Sequence, residues 1–421
     1  MNTCLRCGLA LALMLPAFGC AGGAELQEKI DAAAPGDVVT VGPAVYRERI
    51  IIRKPLTLVG EGFPAIAGDD AAVFVTGNDA TIEAKEIEDS LHGVYLKKVS
   101  GSRVLNNRIR GKTTLAAADG SIENDLGQSA ENCDTGTLVS NRRGNGIHQW
   151  NCERNEIAGN EISDTRDGMY FSFTTESRVE NNFIHHVRYG LHYMYSDANV
   201  FADNTFADNA AGAAIMFSKG LTIRGNRFVE NSGMRAYGLI FQSVDETRLE
   251  NNQITHNAVG LSFNQCNRNQ VIGNEITHNY IGLRFGSNSD DNRFSANVFV
   301  KNLYPVEVAG ETGTNRWSVS GVGNFWEGAQ GLDLDTDGVN DLPHRELDLF
   351  GVLRRDFPAI ALLSESPAVK LLRFAHERAK LPGFQSIEDD APLMRPPERL
   401  ASTLPSLALE RSDVRKHDPP E

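Results

Sequence analysis

A glycine returns every 22 residues through the middle of this chain. Segments that open on Gly followed by a small or apolar residue begin at Gly93, Gly146, Gly168, Gly190, Gly212, Gly238, Gly260 and Gly282. From Gly146 onward the steps are 22, 22, 22, 26, 22 and 22 residues. A second marker keeps the same phase. Asn107, Asn160, Asn182, Asn204, Asn226, Asn252, Asn274 and Asn297 each follow their glycine by 14 residues, the last by 15. Between the markers lie short apolar runs without helical spacing. A 22-residue period of this kind predicts a solenoid of β-strands in which stacked units bury one continuous core. The expected fold is all-β: a right-handed parallel β-helix with three short strands per coil. Leu261, Phe263 and Ile276 are expected to point inward and meet their counterparts one coil away. The repeating Asn is read as a corner residue, present because a turn needs left-handed backbone or a side chain that bonds nearby main chain.

The flanks are less regular. Residues 1–24 carry one cation, Arg6, then an apolar stretch from Leu9 to Phe18 and small residues up to Ala24, the pattern of a secretory signal peptide. Cys20 sits in a loose lipoprotein-type box, in which Phe18 fits poorly. Residues 25–345 are read as the solenoid, with a short amphipathic helix at 26–34 covering its open end. Between Asn107 and Gly146 the repeat is 31 residues late, which predicts a long loop or an irregular coil; a smaller four-residue insertion surrounds Met234. Past Asn297 the pattern fades. Residues 346–421 are read as a short C-terminal helical extension that docks on a partner, followed by an extended tail. The helix starts at Ser366 and Pro367 and presents Val369, Leu372, Phe374 and Ala375. Of the cysteines beyond the leader, Cys133 and Cys152 are a candidate disulfide, which leaves Cys266 over.

Two constellations carry chemistry. In "GLHYMYS", alternation puts Leu191, Tyr193 and Tyr195 inward and His192, Met194 and Ser196 outward. The next coil aligns without a gap, with Ala213, Ile215 and Phe217 inward and Met216 outward. His192, Met194 and Met216 are therefore a candidate Cu(I) site, since thioether plus imidazole is a soft ligand set; apolar packing under a loop is the alternative. The loop "DLDTDGVND" offers Asp333, Asp335, Asp337 and Asp341 as a candidate calcium site, although His344 stands where a twelfth-position ligand belongs. His186, His256 and His278 share a corner column and read as solvated. His148 lies in the column of His192, with Tyr170 between them, which argues against a shared metal. Asp164, Arg166, Asp167 and Arg188 read as a cross-coil ion-pair ladder. A formal charge of −14 excludes a nucleic-acid binder.

The runs "RRGNGIHQWN", "RDGMYFSFT", "RYGLHYMYSDANVFADN", "GNFWEGAQGLDLDTDGVNDLP" and "SPAVKLLRFAHERAK" together resemble the NosD family, the periplasmic β-helix component of nitrous oxide reductase maturation. Gln149 departs from that pattern, in which an apolar residue is common. The resemblance implies a non-enzymatic periplasmic protein that handles copper. Its partners would be an ABC transporter permease with its ATPase, a copper-donor lipoprotein and nitrous oxide reductase. The competing class is a secreted carbohydrate-active β-helix, a polysaccharide lyase, epimerase or sugar-binding module. The motifs expected of mannuronan epimerases and polygalacturonases are not found in the repeats.

Overall fold

The computed structural model describes residues 25–68, 71–88, 90–111, 144–231, 236–286, 288–309, 314–329, 331–347, 366–368, 371 and 386–397. Outside them lie the leader segment 1–24, Cys133 with most of the insertion before Gly146, Met234, the apolar positions Val369, Leu372, Phe374 and Ala375, and the tail 398–421.

The chain winds into a parallel β-helix. Three sheets of 11, 12 and 11 strands run its length; each of 11 coils contributes one strand to each sheet, and a last partial coil adds a strand to the second sheet alone. The first sheet runs from Val38–Val41 to Arg293–Ser295, the second from Val45–Tyr46 to Phe325–Trp326, and the third from Ile50–Ile52 to Tyr304–Ala309. The strand pairings between coils are parallel and bring equivalent repeat positions into register, as in Leu191↔Ala213 and Leu261↔Leu283. The expected inward residues are inward: Leu261, Phe263 and Ile276 are fully buried. Inside, rings stack coil on coil, as in Phe206 on Phe228 at 5.1 Å and Phe241 on Phe263 at 5.2 Å.

The two sequence markers turn out to be two physical devices. The glycines stack. A Cβ built at Gly190 would stand 2.4 Å from the carbonyl oxygen of Gly212, and one at Gly168 2.7 Å from that of Gly190. A side chain is thus excluded by the next coil's backbone, and conformational freedom is not the reason for glycine there. The asparagines form a buried amide ladder. Asn182 donates Nδ2 to Oδ1 of Asn204 at 2.9 Å and to the carbonyl of Ile157 at 2.9 Å, and its N–H donates to the same Asn204 oxygen at 3.0 Å. The left-handed residue is the one before the ladder Asn (Asn181 at φ 52°, Asp203 at φ 55°), so the two corner functions are divided between neighbours. Two more amide ladders, Asn209–Asn231–Asn257–Asn279–Asn302 and Asn269–Asn292–Asn315, hold the other corners. Fully satisfied buried networks of this kind specify one register.

Both ends are closed. The helix Glu25–Ala32 buries Leu26 and Ile30 over the first coil, and the Glu48 carboxylate accepts the N–H groups of Leu26 and Gln27. At the other end the repeat continues one coil further than the sequence suggests. Asn324 extends the ladder beneath Asn297, and Trp326 stacks on Phe299 at 4.4 Å. Residues read as part of an extended tail complete this end. Ser386–Asp389 pairs antiparallel with His344–Leu347, and buried Asp389 accepts from Asn324 N–H at 2.7 Å and from Trp326 Nε1 at 2.9 Å. Pro367 and Ala368 are helical, as the proline signal predicts.

Candidate functional site

The third sheet positions the candidate site on three consecutive strands, Asp167–Ser172, Tyr189–Met194 and Ala211–Lys219. Their register sets Met194 directly beside Met216, with Ser172 on the other flank, and sets His192 between Tyr170 and Ala214. The ungapped 22-residue step predicts this pairing, and rungs of a sheet lie about 4.8 Å apart. Leu191, Tyr193, Ala213 and Ile215 face inward as read, and both methionines are half-buried on the outer face.

The alternation fails one residue later. Tyr195 and Phe217, expected inward, are 49% and 44% exposed, and Ser196, expected outward, is fully buried. Left-handed backbone at Tyr195 (φ 49°) and Phe217 (φ 50°) turns the corner and reverses the inside–outside phase. Ser196 then joins a hydroxyl ladder, accepting the N–H of Thr174 at 2.9 Å. Phe173, 52% exposed and also left-handed at φ 53°, stacks on Tyr195 at 5.6 Å, and Tyr195 stacks on Phe217 at 5.1 Å. Bulky residues rarely adopt this conformation. Three in one column make an exposed aromatic edge beside the two methionines.

His192 is more constrained than its spacing suggests. It is 8% exposed, and its Nδ1 lies 3.1 Å from Oδ2 of Asp167. Arg188 grips the same carboxylate with both arms of its fork, Nε to Oδ1 at 2.8 Å and Nη2 to Oδ2 at 2.7 Å. Burial alone would raise the Asp167 pKa. The Arg188 charge and the hydrogen bonds from His192 and Arg188 outweigh it and hold the carboxyl well below the usual carboxylate range. Asp167 is therefore a fixed anion at neutral pH. It commits Nδ1 of His192 as the donor and leaves Nε2 as the nitrogen that can ligate a metal, as ligating histidines commonly donate their other ring N–H to a carboxylate. The sequence shows the Arg188–Asp167 pair, but His192 as its third member emerges only when the corner is built.

The other candidates separate. Tyr170 does stand between His148 and His192, with ring centroids 4.8 and 5.0 Å away. Burial pushes His148 down to about 3, so it is neutral. His92, which the repeat alignment passes over, lies 5.5 Å from His148. His186, His256 and His278 are left-handed corner residues, and the last two stack at 4.9 Å. In the acidic loop, carboxylate oxygens of Asp333, Asp335 and Asp337 lie within 4.8 Å of one another. Asp341 is not among them; its Oδ2 accepts the N–H of Leu334 at 2.7 Å. Cys152 and Cys266 are free, buried thiols; burial pushes both up, Cys266 to about 12, so neither is an activated thiolate at neutral pH. Gln149 is buried inside the coil, where its Oε1 accepts from Asn155 Nδ2 at 2.7 Å.

Residues 128–331 match the family model described as "Periplasmic copper-binding protein (NosD)". A protein of Pseudomonas aeruginosa described as "Probable ABC transporter binding protein NosD" is 28% identical over 90% of this chain and 83% of its own. One of the same description from Stutzerimonas stutzeri is 26% identical over 84% and 86%. Among solved structures, the A-module of mannuronan C-5 epimerase AlgE6 from Azotobacter vinelandii aligns at TM-score 0.43 and 15% identity over 72% of this chain and 97% of that one. DFA-IIIase from Arthrobacter chlorophenolicus aligns at TM-score 0.48 and 12% identity over 69% and 87%. No helix among the described residues is long and apolar enough to cross a membrane.

Proposed function

Because the chain belongs to the NosD family, we propose that it is a periplasmic accessory protein that docks on an ABC transporter and passes copper toward the copper centres of nitrous oxide reductase. Copper is its cargo. A permease with its ATPase, a copper-donor lipoprotein and the reductase are the partners this reading requires.

One observation carries the reading: an imidazole fixed by a buried Arg188–Asp167 pair stands on the same outer face as a registered pair of methionines. Two thioethers and one imidazole select Cu(I) over Zn²⁺, which prefers nitrogen, thiolate and carboxylate. A three-donor site at a half-buried surface suits a protein that must hand its metal on. The exposed Phe173–Tyr195–Phe217 edge borders the methionines, so a donor or acceptor that reaches the metal meets it. The nearest acid, Asp167, is held ionised by Arg188 and is spent on orientation, which supports a non-enzymatic role. Titration with a competing Cu(I) chelator tests the site. The Met194→Leu, Met216→Leu variant should bind at least about tenfold more weakly, about 1.4 kcal/mol, with its fold intact. Equal binding by variant and parent would move the site elsewhere.

The docking role of the C-terminal segment belongs to the same proposal. Because Asp389 closes the solenoid, a deletion that tests docking has to spare residues 386–397.

A further inference from the structure

On the first sheet, near the C-terminal end of the solenoid, side chains from three successive coils form a cleft of about 330 Å³ lined by Arg268, Gln270, Asp291, Arg293, Thr314 and Arg316. The sequence makes this a grid. Arg268, Asp291 and Thr314 occupy the corner positions, and Gln270, Arg293 and Arg316 lie two residues along on the strand side. Gln270 pairs with Arg293, and Arg293 bridges to Arg316, so the last two stand directly opposite on neighbouring rungs. Between the two columns runs the buried Asn269–Asn292–Asn315 ladder, with amide-to-amide bonds of 3.0 and 2.9 Å, which fixes the spacing of the grid.

Like charges directly opposite across a sheet destabilise it. Elsewhere on this sheet arginines are balanced by acids: Arg103 by Glu156 at 2.8 Å and Arg178 by Glu180 at 2.6 Å, and Arg248 by Glu250. Arg268, at the edge of the cleft, is held by Glu246 at 2.9 Å. Among the described residues, Arg293 and Arg316 have no ion pair. Asp291, the acid lining the cleft, takes its hydrogen bond from the Thr314 hydroxyl at 2.7 Å instead. The chain carries a net charge of −14, yet among the described residues no carboxylate forms an ion pair with either of these two guanidinium groups.

We propose that Arg293 and Arg316 form an oxyanion-binding site for a tetrahedral group of the phosphate or sulfate class. A planar carboxylate is satisfied by one guanidinium fork, whereas a tetrahedral oxyanion presents enough oxygens to accept two forks from adjacent rungs. Gln270 supplies a neutral amide at the rim, and the amide ladder beneath fixes the backbone of the rungs that carry both arginines. The site lies on a different sheet from His192 and the methionines and is independent of the copper reading.

Calorimetric titration of the full chain with inorganic phosphate and with sulfate, at low ionic strength, tests it. The parent should bind, and added salt should weaken the binding. The Arg293→Gln, Arg316→Gln variant should lose at least about tenfold in affinity, while Arg248→Gln on the same sheet should change little. Arg316→Lys, which keeps the charge but not the fork, should fall between, and equal melting midpoints will show that all variants fold. Sedimentation with phosphatidylglycerol vesicles separates a lipid phosphate from a free ion; the acidity of the chain predicts that only the free ions bind. No phosphate or sulfate binding by the parent, equal binding by the double variant, or binding of a polyglutamate peptide in preference to phosphate would overturn the proposal.

Discussion

The coils around 167–219 and those around 237–286 share one backbone and carry different surfaces. Inside they are equivalent: Leu191 and Tyr193 are buried in one group, Leu239 with Phe241 and Leu261 with Phe263 in the other. The left-handed corner falls at the same place, at Tyr195 and Phe217 in the first group and at Ser243 and Gln265 in the second. In the second group the outer positions form a satisfied polar ladder. Asn264 donates to Gln242 at 2.7 Å, and Gln242 donates to Gln265 at 2.9 Å. In the first group the same positions hold Met194, Met216 and stacked aromatics, with a buried Arg–Asp–His cluster beside them. The fold demands none of these residues, since the neighbouring coils build the same corner from Ser and Gln. An exposed aromatic in strained backbone, repeated over three coils, is therefore evidence of a use outside the fold.

The largest effect should come from breaking the buried cluster. Asp167→Ala leaves the Arg188 charge buried without its partner and should cost about 4 kcal/mol in denaturant unfolding. The equivalent outer positions in the second group, such as Gln242, should cost far less. The pH dependence carries the same signature. Asp167 titrates lower folded than unfolded, so its stabilisation is complete above about pH 4 and disappears as pH falls below that value. Acid unfolding below about pH 4 should be steeper in the parent than in Asp167→Asn.

A glycine test checks that the two groups share one backbone. Gly190→Ala and Gly260→Ala would place Cβ atoms 2.4 and 2.7 Å from the carbonyls of Gly212 and Gly282. Each should cost about 3 kcal/mol, and clearly unequal costs would show that the coils differ beneath their surfaces.

The first rung of the asparagine ladder offers a contrasting case. Lys85 fills the position one coil before Asn107, fully buried, with Nζ donating to the Glu83 carbonyl much as Asn226 Nδ2 donates to that of Arg224. Burial pushes its amine down to about 7. The unfolded chain then holds a proton that the folded chain lacks, so stability should rise between about pH 7 and pH 10. Lys85→Asn should abolish that rise and extend the ladder; a rise that persists in the variant would assign it to another group.

The period of glycine and asparagine contains the sheet register and the inward residues of the coils it marks, because stacking forces each to repeat. Met194 beside Met216 follows from the same arithmetic. What the period misses lies where regularity ends. A left-handed residue at Tyr195 reverses the phase for Ser196, and alternation has no means of marking the reversal. Asp389 closes the ladder on Asn324, 65 residues earlier, across sequence with no repeat to align. His192 joins Asp167 across 25 residues, on the carboxylate that Arg188 also grips.

The smallest effect concerns the acidic loop, outside both groups. If Asp333, Asp335 and Asp337 take Ca²⁺, added calcium should raise the melting midpoint by about 3 °C, and a chelator or Asp335→Ala should reverse it. Equal midpoints with and without calcium would leave a solvated turn.

X-ray absorption at the copper edge of the Cu(I)-loaded protein tests the central claim most directly. The copper proposal predicts two sulfur neighbours and one nitrogen, from Met194, Met216 and His192, with the sulfur signal lost in Met194→Leu, Met216→Leu. A copper environment of nitrogen and oxygen alone, or a sulfur signal unchanged in that variant, would contradict it.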